Sequence, residues 1–352
     1  MRIALVAGPY VPVPPPKYGG TERVIQYLIK GLLEHGHEPI LVGTGDSKVD
    51  CELVPIIDKA ISFAPTRQAL PAHQKLVDKT NARTKAVLSK LLPRIDLIHS
   101  HGFDLTPFQD FPNLTTLHDN IDFDNIDYFL KHKDLPYVSI SKNQQRACPG
   151  LNYIGLEYHG EDPEEFPIVT TPQNYVCFIG RFDREKNPHL AIQLAIDLGI
   201  PIKLAGKIDF LGNDYFNEEI KPFFSHPLVE YVGELGFADK VELMSNAKCN
   251  LHPIGFREPF GLTVLEAAYC GTPTMAIHKG SMPEVIKNGE TGVLVEDFIE
   301  GIYRLQECFD LDREHIAVTM RAQFNYRTMT SQYLHAYKRA LRLKGAEIKE
   351  EE

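Results

Sequence analysis

Two carboxylates eight residues apart stand in the stretch Glu258-Pro-Phe-Gly-Leu-Thr-Val-Leu-Glu266. The pattern predicts a turn around the first and a helix over 261–270 that carries the second. At a rise of about 1.5 Å per residue, Glu266 then lies within roughly two turns of the helix start. The amides of Phe260, Gly261, Leu262 and Thr263 fall at that start, where free N–H groups and the helix dipole attract anions. Such a site holds a negatively charged group and, beside it, hydroxyls that carboxylates accept in pairs. A nucleotide-sugar offers both.

Other residues carry chemistry of the same kind. Gly180-Arg181-Phe-Asp-Arg-Glu-Lys186 follows the apolar run Tyr175–Ile179. Two cations leaving a strand end neutralise a departing diphosphate, or else they are solvated surface charges. In Lys17-Tyr-Gly19-Gly20-Thr21-Glu22, two glycines let backbone amides approach a phosphate at a helix start; the plainer reading is a flexible turn after a proline-rich loop. His118 ends the short apolar run Thr115-Thr-Leu-His118, either as a structural histidine or as a hydrogen-bond partner of a ligand. His99 and His101 occur in a similar setting. Asp122-Phe-Asp124 and Asp310-Leu-Asp312 imitate a metal-binding D-x-D, but neither follows a clear strand end, so no metal is expected. Gly43-Thr-Gly45 lacks the third glycine of a dinucleotide fingerprint.

These residues need a scaffold. The chain has 352 residues, 43% hydrophobic and 24% charged, a length that suits two domains. Its net charge of −10 argues against a protein built around nucleic-acid phosphates. The six cysteines form no C-x2-C pair and read as reduced thiols of a cytoplasmic protein. The opening run Arg2–Ala7 is too short for a signal-peptide core and reads as a buried first strand. Apolar runs alternate with helical patterns, the sign of parallel sheets with crossover helices. Strands are expected at 2–7, 39–43, 95–100, 114–118 and 137–140, and again at 175–179, 201–205, 229–232, 249–253 and 273–277. Helices are expected at 21–35, 188–198, 237–246 and 261–270. The proline- and acid-rich stretch 161–174 separates the two series. The segment 68–94 aligns Lys75, Lys79 and Arg83 along one helix face, with Lys85, Lys90 and Arg94 nearby; it reads as a solvated face or as a weak peripheral contact with anionic lipid.

Taken in order, these motifs resemble those of the retaining family 4 glycosyltransferases. The E-x7-E pair matches, and so does G-R-x4-K, with Asn187 where glycine is common. Leu204-Ala-Gly206, Lys279-Gly-Ser-Met-Pro-Glu284 and Asn288-Gly-Glu-Thr-Gly292 follow the same pattern. The resemblance implies an α/β protein of GT-B type, two Rossmann-like domains facing across a cleft. Residues 1–165 would form the acceptor side and 166–328 the nucleotide-sugar domain. A C-terminal helix over 329–352 would pack back toward the first domain and end in a frayed tail. By resemblance, Arg181 and Lys186 grip the leaving diphosphate, and Gly19, Gly20 and Gly180 lie against the donor. Glu266 takes the ribose hydroxyls, Glu258 the sugar hydroxyls, and His118 faces the donor sugar. The implied activity is a metal-independent, hexosyltransferase-like transfer, with a nucleotide diphosphate-sugar, UDP-linked by preference, as substrate and no cofactor. The acceptor is a glycan, a lipid or a small molecule. Two rivals share the shape: a nucleotide-sugar epimerase and a non-catalytic nucleotide-sugar binding protein.

Overall fold

The computed structural model describes residues 1–61, 67–208 and 213–345. The chain forms two compact units, one of Met1–Glu161 with the chain from Tyr326 onward, the other of Asp162–Asn325.

The first unit holds seven strands: β1 (Arg2–Val6), β2 (Glu38–Thr44), β3 (Glu52–Ile57), β4 (Leu97–Ser100), β5 (Asn113–Thr116), β6 (Tyr137–Ser139) and β7 (Tyr153–Leu156). All pair in parallel, in the order β3-β2-β1-β4-β5-β6-β7. Its helices are α1 (Gly20–Glu34), α2 (Leu70–Leu91), α3 (Ile126–Lys131) and α4 (Lys142–Ala147). A parallel sheet is covered on both faces, so its central strands read as unbroken apolar runs. In β1, Ile3, Ala4, Leu5 and Val6 are fully buried. On α1, Val24, Tyr27, Leu28 and Leu32 form the expected inward face, each with no exposed surface. The helix ends as Gly36 takes a left-handed φ of 71°, a conformation glycine adopts without steric cost.

The second unit holds β8 (Val176–Ile179), β9 (Ile202–Ala205), β10 (Val229–Gly233), β11 (Asn250–His252), β12 (Thr274–Ile277) and β13 (Gly292–Val295). They too are parallel, ordered β10-β9-β8-β11-β12-β13. Its helices are α5 (Pro188–Asp197), α6 (Asn213–Tyr215), α7 (Phe237–Asn246), α8 (Leu262–Tyr269), α9 (Met282–Val285), α10 (Gly301–Phe309) and α11 (Arg313–Gln323). The last helix, α12 (Tyr326–Leu343), belongs to the first unit and packs on α1, β4, β5 and β7. The frayed tail expected beyond Lys344 falls largely on 346–352, outside the described residues.

Three strands lie beyond those expected, and all three are sheet edges: β3, β7 and β13. Pro55 sits inside β3, a residue that sheets tolerate at an edge. Each sheet reverses its strand order beside its first strand, at β1/β4 in one unit and β8/β11 in the other. Ligands of open α/β sheets bind beyond the carboxyl ends of the strands at such switch points. The loops leaving β1, β4, β8 and β11 are therefore the places to look.

Candidate active site

In the second unit, the loop after β8 carries Arg181 and Lys186, and the loop after β11 carries Glu258. The loops are stitched together: the Gly255 amide donates to Glu185 O (3.2 Å), and Asn187 Nδ2 donates to Pro253 O (3.0 Å). Asn187 has φ 49°, which explains why asparagine replaces the usual glycine, being among the residues that enter the left-handed region most readily. The turn leading into α8 is braced from behind. Ser281 Oγ lies 2.9 Å from the carbonyls of both Glu258 and Phe260, and its amide donates to Glu258 O. Gly261 precedes the helix with φ 93°, and a Cβ there would stand 2.6 Å from Met282 Cε. The 279–284 motif thus shapes the turn that presents Glu258. Phe260 is buried against Phe324, while Leu262 and Thr263 open α8. The amides of Val264 and Leu265 return to Gly261 O, so the helix start lies at 261–263 as expected.

Each glutamate is held by a lysine. Lys186 Nζ lies 2.7 Å from Glu258 Oε2, with both side chains mostly buried. The same ammonium sits over the Phe256 ring, 4.7 Å from its centroid. The expectation assigned Lys186 to a diphosphate; here it is bound to the first carboxylate. Glu266, in the second turn of α8 and only 2% exposed, takes an ion pair from Lys240 on α7 through Oε1. Its other oxygen, Oε2, is buried without a hydrogen-bond partner among the described residues. Arg181 Nη2 is 3.5 Å from Asp183 Oδ2, and Gly180 ends the strand beside them. His252, the last residue of β11, is buried, and its Nε2 has no hydrogen-bond partner among the described residues. Burial, and then the Lys186 charge, push its pKa down to about 3, so it stands neutral near the Lys186 ammonium.

In the first unit, Gly19 and Gly20 form the end of the β1 loop and the start of α1. Gly19 has φ 150°, and a Cβ on it would meet Pro15 Cβ at 2.6 Å. Glu22, in the first turn, has its pKa raised to about 7 by burial. His118 lies two residues past β5 and belongs to a stack of four histidines. Ring centroids run 4.0 Å from His99 to His101, 5.1 Å to His118 and 5.2 Å to His159. His101 Nδ1 and His118 Nε2 share a hydrogen bond of 2.9 Å. His99 is fixed at both nitrogens, by Tyr337 Oη (2.8 Å) and Thr116 Oγ1 (2.8 Å), and Thr116 also meets Tyr333. Burial lowers the pKa of every ring in the stack, that of His118 to about 4. At neutral pH the stack is uncharged.

Sequence reasoning missed Lys240, His252, His159 and the tyrosines of α12. His252 had a usable signal, since it ends a strand at a switch point. The two D-x-D triplets are occupied locally. Asp122 Oδ1 accepts from the Asp124 amide, and Asp312 caps α11 by accepting from the amides of Glu314 and His315. Among the described residues no three metal-ligating side chains cluster, and no helix is long and apolar enough to cross a membrane.

Two family models match the chain in tandem: Glycosyltransferase Family 4 over residues 18–150 and Glycosyl transferases group 1 over 161–304. The chain belongs to the family 4 glycosyltransferases. Its resemblance to individual members is distant. Glycogen synthase of Mycobacterium tuberculosis is 24% identical over 344 residues, spanning 83% of this chain and 82% of that one. Sucrose-phosphate synthase of Thermosynechococcus elongatus has the same fold at a TM-score of 0.77 and 17% identity, covering 97% of this chain and 99% of that one. HepE of Anabaena, solved with UDP-glucose, does so at 0.72 and 16%, covering 96% and 100%. This family 4 member therefore has the GT-B fold, built from two parallel sheets.

Proposed function

We propose that this family 4 member is a retaining transferase that moves a hexose from a nucleotide diphosphate-sugar to an acceptor. The observation that carries the reading is the pair of glutamates at the switch point of the second sheet, each clamped by a lysine. Glu266 keeps one buried oxygen without a partner, a position for a ribose hydroxyl. Glu258, in the loop after β11 and bonded to Lys186, accepts from the sugar hydroxyls. The positive side chains and the start of α8 hold the diphosphate. In the transfer, the bond from the anomeric carbon to the diphosphate oxygen breaks through an oxocarbenium-like state. A bond to the acceptor oxygen forms on the same face, and the acceptor proton passes to the departing phosphate. Cationic side chains stabilise the negative charge as it develops. His118, neutral and held by His101, is an orienting hydrogen-bond partner for a ligand at the strand ends of the first unit. The UDP-glucose bound to HepE supports a uridine donor. Six free thiols support a reducing, cytoplasmic setting.

Kinetics of Glu266→Gln and Glu258→Gln with UDP-glucose test the division of labour. The first variant should chiefly raise donor KM, and the second should chiefly lower kcat. Matching profiles for the two variants overturn the assignment. An epimerase would instead return an altered nucleotide-sugar without an acceptor, and a binding protein would release no UDP. An NMR spectrum of the product should show the donor's anomeric configuration retained.

A further inference from the structure

The Lys240–Glu266 pair has a role that neither the E-x7-E spacing nor the cationic loop accounts for. Lys240 lies in the first turn of α7, far from the switch-point loops in sequence, yet its ammonium is bonded to the most deeply buried carboxylate of the site. Its side chain is only 18% exposed. It also lies 5.6 Å from the centroid of the Phe237 ring, which limits its freedom. A buried carboxylate without a charge partner is strongly disfavoured, so the ammonium supplies that partner and fixes which oxygen is used. Oε1 faces Lys240. Oε2, the partnerless atom, is left as an acceptor whose direction is set by the ion pair.

We infer that Lys240 is a positioning residue: it occupies one oxygen of Glu266 so that the other is presented to the hydroxyls of the donor's ribose. This rests on the reading of Glu266 as the ribose ligand. Lys186 is bonded to Glu258 in the corresponding way, so two glutamates eight residues apart are each held by a lysine from elsewhere in the chain. Lys240 itself need not touch the donor. Its contribution is therefore specific to the ribose hydroxyls and independent of the diphosphate and base.

Calorimetric titration with UDP and with 2′,3′-dideoxy-UDP separates the possibilities. A hydrogen bond to an ionised acceptor discriminates by roughly 10- to 100-fold, and the wild-type protein should prefer UDP by that factor. Lys240→Met should lose the preference by weakening UDP alone, with dideoxy-UDP affinity within about threefold of wild type. Lys240→Arg should restore most of it. Should Lys240→Met not fold, Lys240→Leu, which likewise removes both donor and charge, makes the same comparison. A retained preference in the folded Met or Leu variant overturns the inference and leaves the ribose reading intact. An equal loss for both nucleotides also overturns it, because it marks Lys240 as merely structural. A wild-type protein indifferent to the ribose hydroxyls overturns the ribose reading and this inference together.

Discussion

Acid should loosen the first unit through its histidines, and His118 gives the cleanest measure. In an unfolded chain its imidazole titrates near 6.5; in the folded unit burial brings it to about 4. The lowered value means that the unfolded state takes up the proton first. The stabilisation is complete above pH 6.5, falls as the pH drops below that value and is exhausted near pH 4. A full shift of about 2.5 units corresponds to ~3.4 kcal/mol, of which ~2 kcal/mol is lost between pH 7.5 and pH 5. Glu22 and Glu157, both raised to about 7 by burial, titrate in the opposite sense and stabilise the unit as the pH falls. The measurement must therefore be a difference. Amide exchange of peptides from β4 and β5, corrected for intrinsic rates, reports the opening free energy of this unit at pH 7.5 and pH 5. His118→Gln keeps a polar group near the position of Nε2 but removes the titration. The wild type should lose ~2 kcal/mol more than this variant over that interval. Equal losses in the two proteins would refute the argument and show that His118 is solvated well enough to ionise within the fold.

Three further outcomes follow from the second unit and from α2. Lys186→Ala should reduce turnover by roughly 100- to 1,000-fold, the scale of one strong electrostatic contact at a transition state. Unchanged turnover in a folded variant removes Lys186 from the mechanism. Activity should persist in EDTA, since the proposed site neutralises the diphosphate with Arg181 and Lys186; a loss restored by added magnesium or manganese would contradict this. Lys75, Lys79 and Arg83 are exposed on α2, opposite the buried face of Val77, Thr80, Thr84 and Leu88. Binding to anionic vesicles should be measurable at low ionic strength, weaken with salt and fall sharply when all three become Glu. Absence of binding by the wild type would leave α2 as a solvated face.

Much of the scaffold was legible because parallel strands buried on both faces leave unbroken apolar runs, as in Ile3-Ala-Leu-Val6. The edge strands were not, since one side of each lacks that demand; Pro55 even speaks against β3. In the site, Glu258 and Glu266 were readable because a turn glycine and a helix place them by local rules. Lys240 was not: it sits in an unremarkable helical pattern, and its partner lies 26 residues ahead. The histidine stack shows the same limit more sharply. His99 is held by Tyr337, 238 residues away, and no periodicity carries information over that range. The sequence placed His118 at a strand end, but the groups that keep it neutral come together only through the fold.

The chain leaves the first unit at Glu161 and returns at Tyr326, and the Tyr326 amide donates to Glu161 O at 2.9 Å. The second unit is thus a nested domain whose two ends lie side by side. On the ribosome this arrangement sets an order of events. The nested domain is complete before α12 has been made, whereas β1–β7 must wait for that helix to supply Tyr333 and Tyr337. Domains generally fold as units during synthesis, the earlier ones first. Here the half that begins the polypeptide is the half that finishes last, and His99 and Thr116 gain their tyrosine partners only when the closing helix arrives.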